Sequence, residues 1–201
     1  MKKGTIVLLV VLGVIIIGAF SIYSWYKNTY NGFVSMDEGV KSAWSQVENQ
    51  YQRRYDLIPN LVNTVKGVAN FEKETYTAVT EARAKVGQVN INVGDLGDAQ
   101  KFQKFQEAQS GLGSALSRLL VAVENYPQLK ANENFLQLQA QLEGTENRIS
   151  VERRKFNTSV QNYNTAIKLF PASIIANMSG FTEKQYFKST EGADAAPKVE
   201  F

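Results

Sequence analysis

Residues 40–69, VKSAWSQVENQYQRRYDLIPNLVNTVKGVA, decide the fold class because their apolar and aromatic side chains recur every three or four positions. This spacing places the side chains on one face of an α-helix, whereas a strand would show strict alternation. The recurring positions are Val40, Trp44, Val47, Tyr51, Tyr55, Ile58, Val62, Val65 and Ala69. The pattern continues through Tyr76, Val79 and Val86, and Gly87 supplies a predicted helix stop.

Pro59 lies inside this helical pattern. A proline removes one helical hydrogen bond and clashes with the preceding turn, at a cost of about 3 kcal/mol. The periodicity crosses Pro59 without a change of phase, which favours a kinked single helix. Segment lengths favour a break, because residues 60–87 form a stretch of 28 residues, close to the length of the next helix. Both alternatives remain open from the sequence.

Two further helices follow a loop over residues 88–97. The first is capped by Asp98, carries an apolar stripe from Phe102 that includes Gln109, and ends at Tyr126 before a proline. The second begins near Asn132 or Asn134 and ends at Pro171, and residues 172–178 add a short helix closed by Gly180. Short connections make successive helices antiparallel neighbours. The sequence therefore predicts an all-α, antiparallel up-and-down bundle of four helices, or of three with a kink at Pro59.

Residues 4–26, the anchor segment, contain no charged side chain and lie between Lys3 and Lys27. A helix needs about 20 residues to cross the hydrocarbon core, so these 23 residues predict a transmembrane helix. Three aromatic residues at its end, Tyr23, Trp25 and Tyr26, are typical of a membrane interface. A cleavable signal peptide is the alternative, although no A-x-A site follows the apolar run.

The chain is thus predicted to comprise five parts. They are a short tail (1–3), the anchor segment (4–26), a polar linker (27–35), the helical bundle (36–180) and a mobile C-terminal tail (181–201). Within this scheme Ser35 and Glu38 form a predicted capping box at the start of the first bundle helix.

Charge gives a preferred orientation and excludes one class of partner. Lys2 and Lys3 flank one end of the anchor segment, which favours a cytoplasmic N-terminus and an extracytoplasmic bundle. The rest of the chain has 20 basic and 19 acidic residues. Nucleic-acid binding needs a basic face, and a nearly even charge balance does not indicate one. We therefore expect no nucleic-acid binding.

The 201-residue chain contains no histidine and no cysteine, which excludes several classes of site. Serine and cysteine nucleophiles activated by histidine are ruled out, and so are disulfide frameworks and histidine- or thiolate-ligated metals. We therefore expect no enzymatic activity, no cofactor and no metal.

Two polar stretches, residues 46–52 and 143–148, are the candidates for an interaction site. Thr145 and Glu152 fall on an otherwise apolar stripe, and a buried polar group is costly unless it is bonded. One hypothesis is an inter-helix polar layer that joins Arg53 or Arg54 to Glu146 or Glu152; the other is that these positions lie on the bundle surface. The candidate interaction residues are Glu48, Arg53, Arg54, Pro59, Glu146, Arg148 and Glu152.

Several motifs resemble those of the LemA proteins of bacteria. They are AWSQVENQYQRR (43–54), DLIPNLV (56–62), EARA (81–84), NYP (125–127) and LEGTENRI (142–149). The resemblance covers about residues 1–190 and implies a protein of the bacterial inner membrane with one N-terminal anchor and a four-helix up-and-down bundle. It favours a break at Pro59 over a kink. It implies no established enzymatic activity, and a magnetosome-associated relative suggests a role in membrane organisation.

We therefore expect a single-pass scaffold in the lipid bilayer whose bundle is packed as a coiled coil. The bundles are expected to pack laterally against each other as a homo-oligomer and so to organise membrane or envelope. The alternative is a membrane-tethered adaptor or receptor that recruits a protein partner, such as a protease or a transporter.

Overall fold

The computed structural model describes residues 3–68 and 71–188, and within these ranges it is helical with no strand. The helices are α1 (Lys3–Lys66), α2 (Lys73–Gln88), a 3-10 helix (Val93–Gly97), α3 (Ala99–Val123), α4 (Pro127–Lys130), α5 (Glu133–Lys168) and α6 (Ala172–Ser179). The predicted all-α fold is confirmed.

The four long helices α1, α2, α3 and α5 run alternately up and down. Trp44 of α1 packs against the start of α3 and the later part of α5, whereas Ile58 packs near the end of α3 and the start of α5. Helix α1 lies along α5, and α2 lies along α3. The antiparallel bundle is therefore confirmed. Helix α6 packs against α1 and α5 at the end of the bundle that is nearer the anchor segment.

The break between the first two bundle helices does not fall at Pro59. Pro59 lies inside α1, which continues to Lys66, and the next helix begins at Lys73. The break that the family resemblance implied at Pro59 is therefore wrong, and the four-helix arrangement arises from the connection after Lys66. Gly67 follows the helix end directly, where its low helix propensity favours termination.

A contact from α2 explains why α1 continues through Pro59. The carbonyl of Tyr55 would normally accept a bond from the N–H of residue 59, which proline lacks. Instead the Arg83 Nε donates to this carbonyl at 3.1 Å, and the guanidinium lies 3.7 Å from the centre of the Tyr55 ring. Gly87 lies one turn later and leaves room for the same ring, since a Cβ there would lie 3.2 Å from the Tyr55 hydroxyl.

The predicted polar linker at residues 27–35 is wrong, because this stretch is part of α1. Ser35 and Glu38 accordingly lie within the helix rather than at its start. Tyr26 and Tyr30 stack one turn apart with ring centres 6.4 Å apart, and Phe33 is buried against the bundle. These contacts offset the helix penalty of Gly32, which is about 1 kcal/mol.

The anchor segment extends away from the bundle. Its large apolar side chains between Ile6 and Ile22 are exposed, and α1 is long and apolar enough to cross a membrane. Such a surface is stable in hydrocarbon and unfavourable in water.

Polar side chains cap the starts of α3 and α5, at the predicted cap Asp98 and at Asn132, one of the two predicted starting positions. The Asp98 carboxylate accepts bonds from the backbone N–H groups of Gln100 and Lys101, and Asn132 accepts one from Phe135. Gly180 closes α6 in the left-handed conformation, with φ of 76°.

Residues 181–188 form an extended segment packed on the bundle, here called the strap. The prediction of a mobile tail from residue 181 is wrong for these eight residues, and residues 189–201 lie outside the described part of the chain. The side-chain amides of Asn157 and Asn164, two turns apart on α5, each exchange two hydrogen bonds of 2.9 Å with the strap backbone. Phe187 is thereby held in the core with 5% exposure.

The core has two clusters. The cluster nearer the anchor segment, here called the aromatic half, contains Phe33, Val40, Trp44, Val47, Tyr51, Ile91, Leu96, Phe102, Phe105, Ile149, Phe156, Val160, Tyr163, Ile167, Ile175, Ala176 and Phe187. The farther cluster, the aliphatic half, contains Ile58, Leu61, Val62, Val65, Phe71, Val79, Leu112, Ala115, Leu116, Leu119, Val123, Leu129, Phe135 and Leu142.

Candidate functional site

Arg54 lies at the boundary between the two halves, with only 3% of its surface exposed. It follows Tyr51 of the aromatic half by one turn and precedes Ile58 of the aliphatic half by another. Its Nη1 donates to Oε2 of Glu146 on α5 at 2.6 Å. The sequence hypothesis of a cross-helix pair thus corresponds to this Arg54–Glu146 contact.

Gln109 of α3 completes the polar layer. Arg54 Nη2 donates to its side-chain oxygen at 2.5 Å and, at 3.3 Å, to its backbone carbonyl. In the sequence Gln109 falls on the apolar stripe of α3, and no partner was predicted for it. Its polar side chain between Phe105 and Leu112 was the available signal that α3 contributes to this layer.

The layer leaves part of the guanidinium without a bond. Among the described residues no acceptor lies within bonding distance of Arg54 Nε, although the group lies 5.2 Å from the centre of the Tyr51 ring. Burial raises the pKa of the Tyr51 hydroxyl, while the positive charges of Arg153 and Arg54 oppose that rise. Tyr51 therefore remains neutral beside the buried cation.

The other predicted residues lie elsewhere. Glu48, Arg53 and Arg148 are exposed, and Pro59 is within α1 away from the layer. Glu152, whose side chain is 18% exposed, pairs with Lys155 of the same helix at 2.8 Å. Thr145, which is 2% exposed, satisfies its hydroxyl by donating to the carbonyl of Gln141 in the preceding turn.

A groove of about 1030 Å³ opens over Arg54, between α3 and α5. Small and amide side chains of α3 line one wall, and Glu143, Glu146 and Arg153 line the other. The lining residues are Tyr51, Arg54, Gln103, Gln106, Glu107, Gln109, Ser110, Gly113, Ser114, Leu116, Ser117, Leu120, Leu142, Glu143, Glu146, Arg153 and Lys188.

The strap closes the end of this groove that faces the anchor segment. The backbone N–H of Lys188 donates to Gln106 of α3, and Arg153 of α5 donates to the Lys188 carbonyl, both at 2.9 Å. The strap therefore connects the two walls. Carboxylates, cations and hydroxyls line the open part of the groove, so it is suited to hydrogen bonding with a polar chain. No group of three or more metal-ligating side chains occurs in residues 3–68 and 71–188.

Comparisons with known proteins give consistent relatives. Residues 43–201 match the LemA family model. The magnetosome protein MamQ of Magnetospirillum gryphiswaldense is 28% identical over 96% of this chain and 76% of its own length. The magnetosome protein MamQ 2 of Paramagnetospirillum magneticum is 26% identical with the same coverage. The protein LemA of Metamycoplasma hominis is 24% identical over 89% of this chain and 76% of its own.

Proposed function

The chain belongs to the LemA family, and from this premise we propose that it is a non-enzymatic scaffold that organises membrane or envelope by associating with copies of itself. Membrane attachment is the part that the exposed apolar anchor segment and the relatives support directly. Self-association is the proposed mechanism by which the attached bundles act.

The continuity of α1 carries the proposal. The same helix forms the anchor segment and the first bundle helix, so the bundle cannot rotate freely about a flexible connection. The roughly 40 residues from Tyr26 to Lys66 extend about 60 Å as a helix. Copies in one membrane would therefore hold corresponding surfaces at the same height and inclination, which reduces the freedom lost on association.

The relatives support the choice of process. Two of them are named magnetosome proteins, and the match extends over nearly the whole of this chain. The absence of histidine and cysteine from the sequence further favours a structural role over nucleophilic or thiol chemistry.

Energy transfer between labelled copies tests self-association. The full chain, labelled with donor or acceptor dyes, is reconstituted in vesicles of phosphatidylethanolamine and phosphatidylglycerol. We expect transfer above that of randomly distributed monomers. Strictly monomeric behaviour in both vesicles and detergent would refute the proposal.

A helix-breaking variant tests the role of α1. Replacing Asn28 with Gly and Thr29 with Pro interrupts the helix just beyond the anchor segment, and we expect energy transfer to fall while the protein remains in the membrane. The matched control replaces both residues with alanine and should retain the transfer. Equal transfer in both variants would show that a rigid connection is not required.

The groove between α3 and α5 favours a second candidate, an adaptor that binds a polar segment of a protein partner such as a protease or transporter. Ser114→Tyr would fill the groove, whereas Ser150→Tyr places the same side chain on an exposed part of α5 outside it. A stoichiometric partner recovered from native membranes with Ser150→Tyr, and lost with Ser114→Tyr, would support the adaptor over the scaffold.

The proposed location is the bacterial inner membrane, with the N-terminus in the cytoplasm and the bundle outside. The flanking Lys2 and Lys3 support this orientation through the positive-inside rule. Alkaline phosphatase fused after Phe201 should be active in cells, because this reporter requires export; an inactive fusion of normal abundance would reverse the orientation.

A further inference from the structure

The turn between α5 and α6 presents large apolar side chains outward. Leu169 is 60% exposed, Phe170 82%, Ile174 51% and Met178 78%. These four residues are here called the apolar corner. On the opposite side of α6, Ile175 and Ala176 are buried in the aromatic half, so the short helix is apolar on both faces.

The short helix that carries part of the apolar corner packs on the part of α1 that leaves the anchor segment. Phe181, which follows α6, contacts Tyr30 and Phe33 of α1 with ring centres 5.6 and 5.3 Å apart. Tyr30 in turn stacks on Tyr26, the last residue of the anchor segment. Tyr30 is four residues beyond Tyr26, which corresponds to about 6 Å along a helix.

Charge at this end of the bundle is compatible with a lipid headgroup region. Lys168 precedes the corner and pairs with Glu183 of the strap at 2.6 Å, and both side chains are more than half exposed. A paired charge costs less to bring to an interface than an isolated one. Apolar faces of interfacial helices lie about 5–10 Å into the boundary between headgroups and acyl chains, and Phe181, which follows α6, contacts Tyr30 one helical turn beyond the anchor segment.

We propose that the apolar corner inserts into the lipid surface and forms a second membrane contact beside the anchor segment. Leu169, Phe170, Ile174 and Met178 would be transferred from water to the headgroup–acyl boundary, which the hydrophobic effect favours. The bundle is then held at two points, which fixes both its height above the membrane and the direction in which it tilts. This inference rests on insertion of the anchor segment in a bilayer and is independent of self-association.

Spin labels at single cysteines test the contact, since the chain has no native cysteine. The variants Phe170→Cys and Met178→Cys report on the corner in the full chain reconstituted in phosphatidylethanolamine and phosphatidylglycerol vesicles. Val121→Cys is the matched control, because Val121 is 64% exposed but lies on α3 at the far end of the bundle. Ile15→Cys reports on the anchor segment itself.

We expect labels at positions 170 and 178 to be several-fold more accessible to oxygen, relative to a water-soluble nickel complex, than the label at 121. Water-like accessibility at 170 and 178 with lipid-like accessibility at 15 would overturn the inference while retaining the anchor. Low accessibility to both reagents at the corner would also overturn it, because it would place another protein surface there. Water-like accessibility at position 15 as well would refute membrane anchoring and the proposed function with it.

Discussion

The two halves of the bundle core are closed in different ways. The aromatic half is covered by the strap, whose Phe187 packs against Trp44, Phe102 and Phe156 with ring centres 5.0–6.0 Å apart. The aliphatic half has no such additional segment among the described residues, and the groove over Arg54 lies beside Lys188, the last described residue of the strap. A fifth segment can therefore join two helices, here α3 and α5, in addition to their direct contact through the stacked rings of Phe102 and Phe156.

The largest loss of stability is expected when the strap loses its buried ring. Replacing Phe187 with alanine should reduce the free energy of unfolding by about 3–5 kcal/mol, because a ring buried among aromatic side chains leaves a cavity. Urea unfolding of the full chain in detergent, followed by near-ultraviolet circular dichroism, measures the loss. Tyr186→Ala is the control at a 41% exposed neighbour and should change stability much less. Equal losses would mean that the strap only lies on the surface.

The next largest loss of stability is expected at Arg54, at the boundary between the two halves. Arg54→Ala should cost about 2–3 kcal/mol, since Gln109 loses its charged partner and the layer is left with a void. Arg54→Met should cost less, because methionine fills much of the volume and the half-exposed Glu146 can be solvated. Arg53→Ala, at an exposed position, is the control and should remain within about 0.5 kcal/mol of wild type. Unchanged stability and assembly in Arg54→Met would remove any requirement for the charge.

A double-mutant cycle sharpens the account of α1 beside the aliphatic half. Arg83→Ala should cost about 1–2 kcal/mol, because the Tyr55 carbonyl loses its donor. In a Pro59→Ala background the backbone N–H of residue 59 supplies that donor, so the same substitution should cost about 1 kcal/mol less. Thermal unfolding of the four variants measures the coupling. A coupling of zero would show that Arg83 acts only by stacking on Tyr55.

The smallest expected effect is a pH-dependent change in stability at Asp37, which pairs with Lys184 of the strap. Desolvation acts to raise the pKa of Asp37, but bonds from Lys41 and Lys184 outweigh it and hold the pKa below its usual value of 3.8. A lowered folded-state pKa stabilises the protein above the unfolded-state pKa, and this contribution is lost as pH falls through the folded value. Acidification from about pH 7 to about pH 3 should therefore destabilise wild type slightly more than Asp37→Asn. Equal pH dependence in thermal unfolding would contradict this contribution.

The sequence predicted the parts of the fold that depend on periodicity. The apolar stripe that includes Trp44 and Ile58 is buried in α1, and Asp98 and Asn132 cap the helices that follow. Such features depend on residues within a few turns of one another. Composition and spacing were sufficient for them because no distant contact was needed to decide the outcome.

The errors arose where distant residues decide the local structure. The tolerance of Pro59 depends on Arg83, 28 residues from the carbonyl that it bonds. The order of the strap depends on Asn157 and Asn164, about 20 to 30 residues away on α5. In the polar layer, Arg54 and Glu146 were recognisable as polar residues near apolar stripes, but Gln109 required knowledge of which helix faces which.

The uninterrupted α1 also has a mechanical consequence. Transmembrane helices tilt to match the thickness of the bilayer, and a stiff rod transmits such a tilt as a lever. Over the roughly 60 Å between Tyr26 and Lys66, a change of about 10° would swing the outer tip of the domain sideways by about 10 Å. If the anchor segment alone held the bundle, bilayer thickness would be converted into a lateral displacement far from the lipid, and the second contact proposed for the apolar corner would resist that displacement.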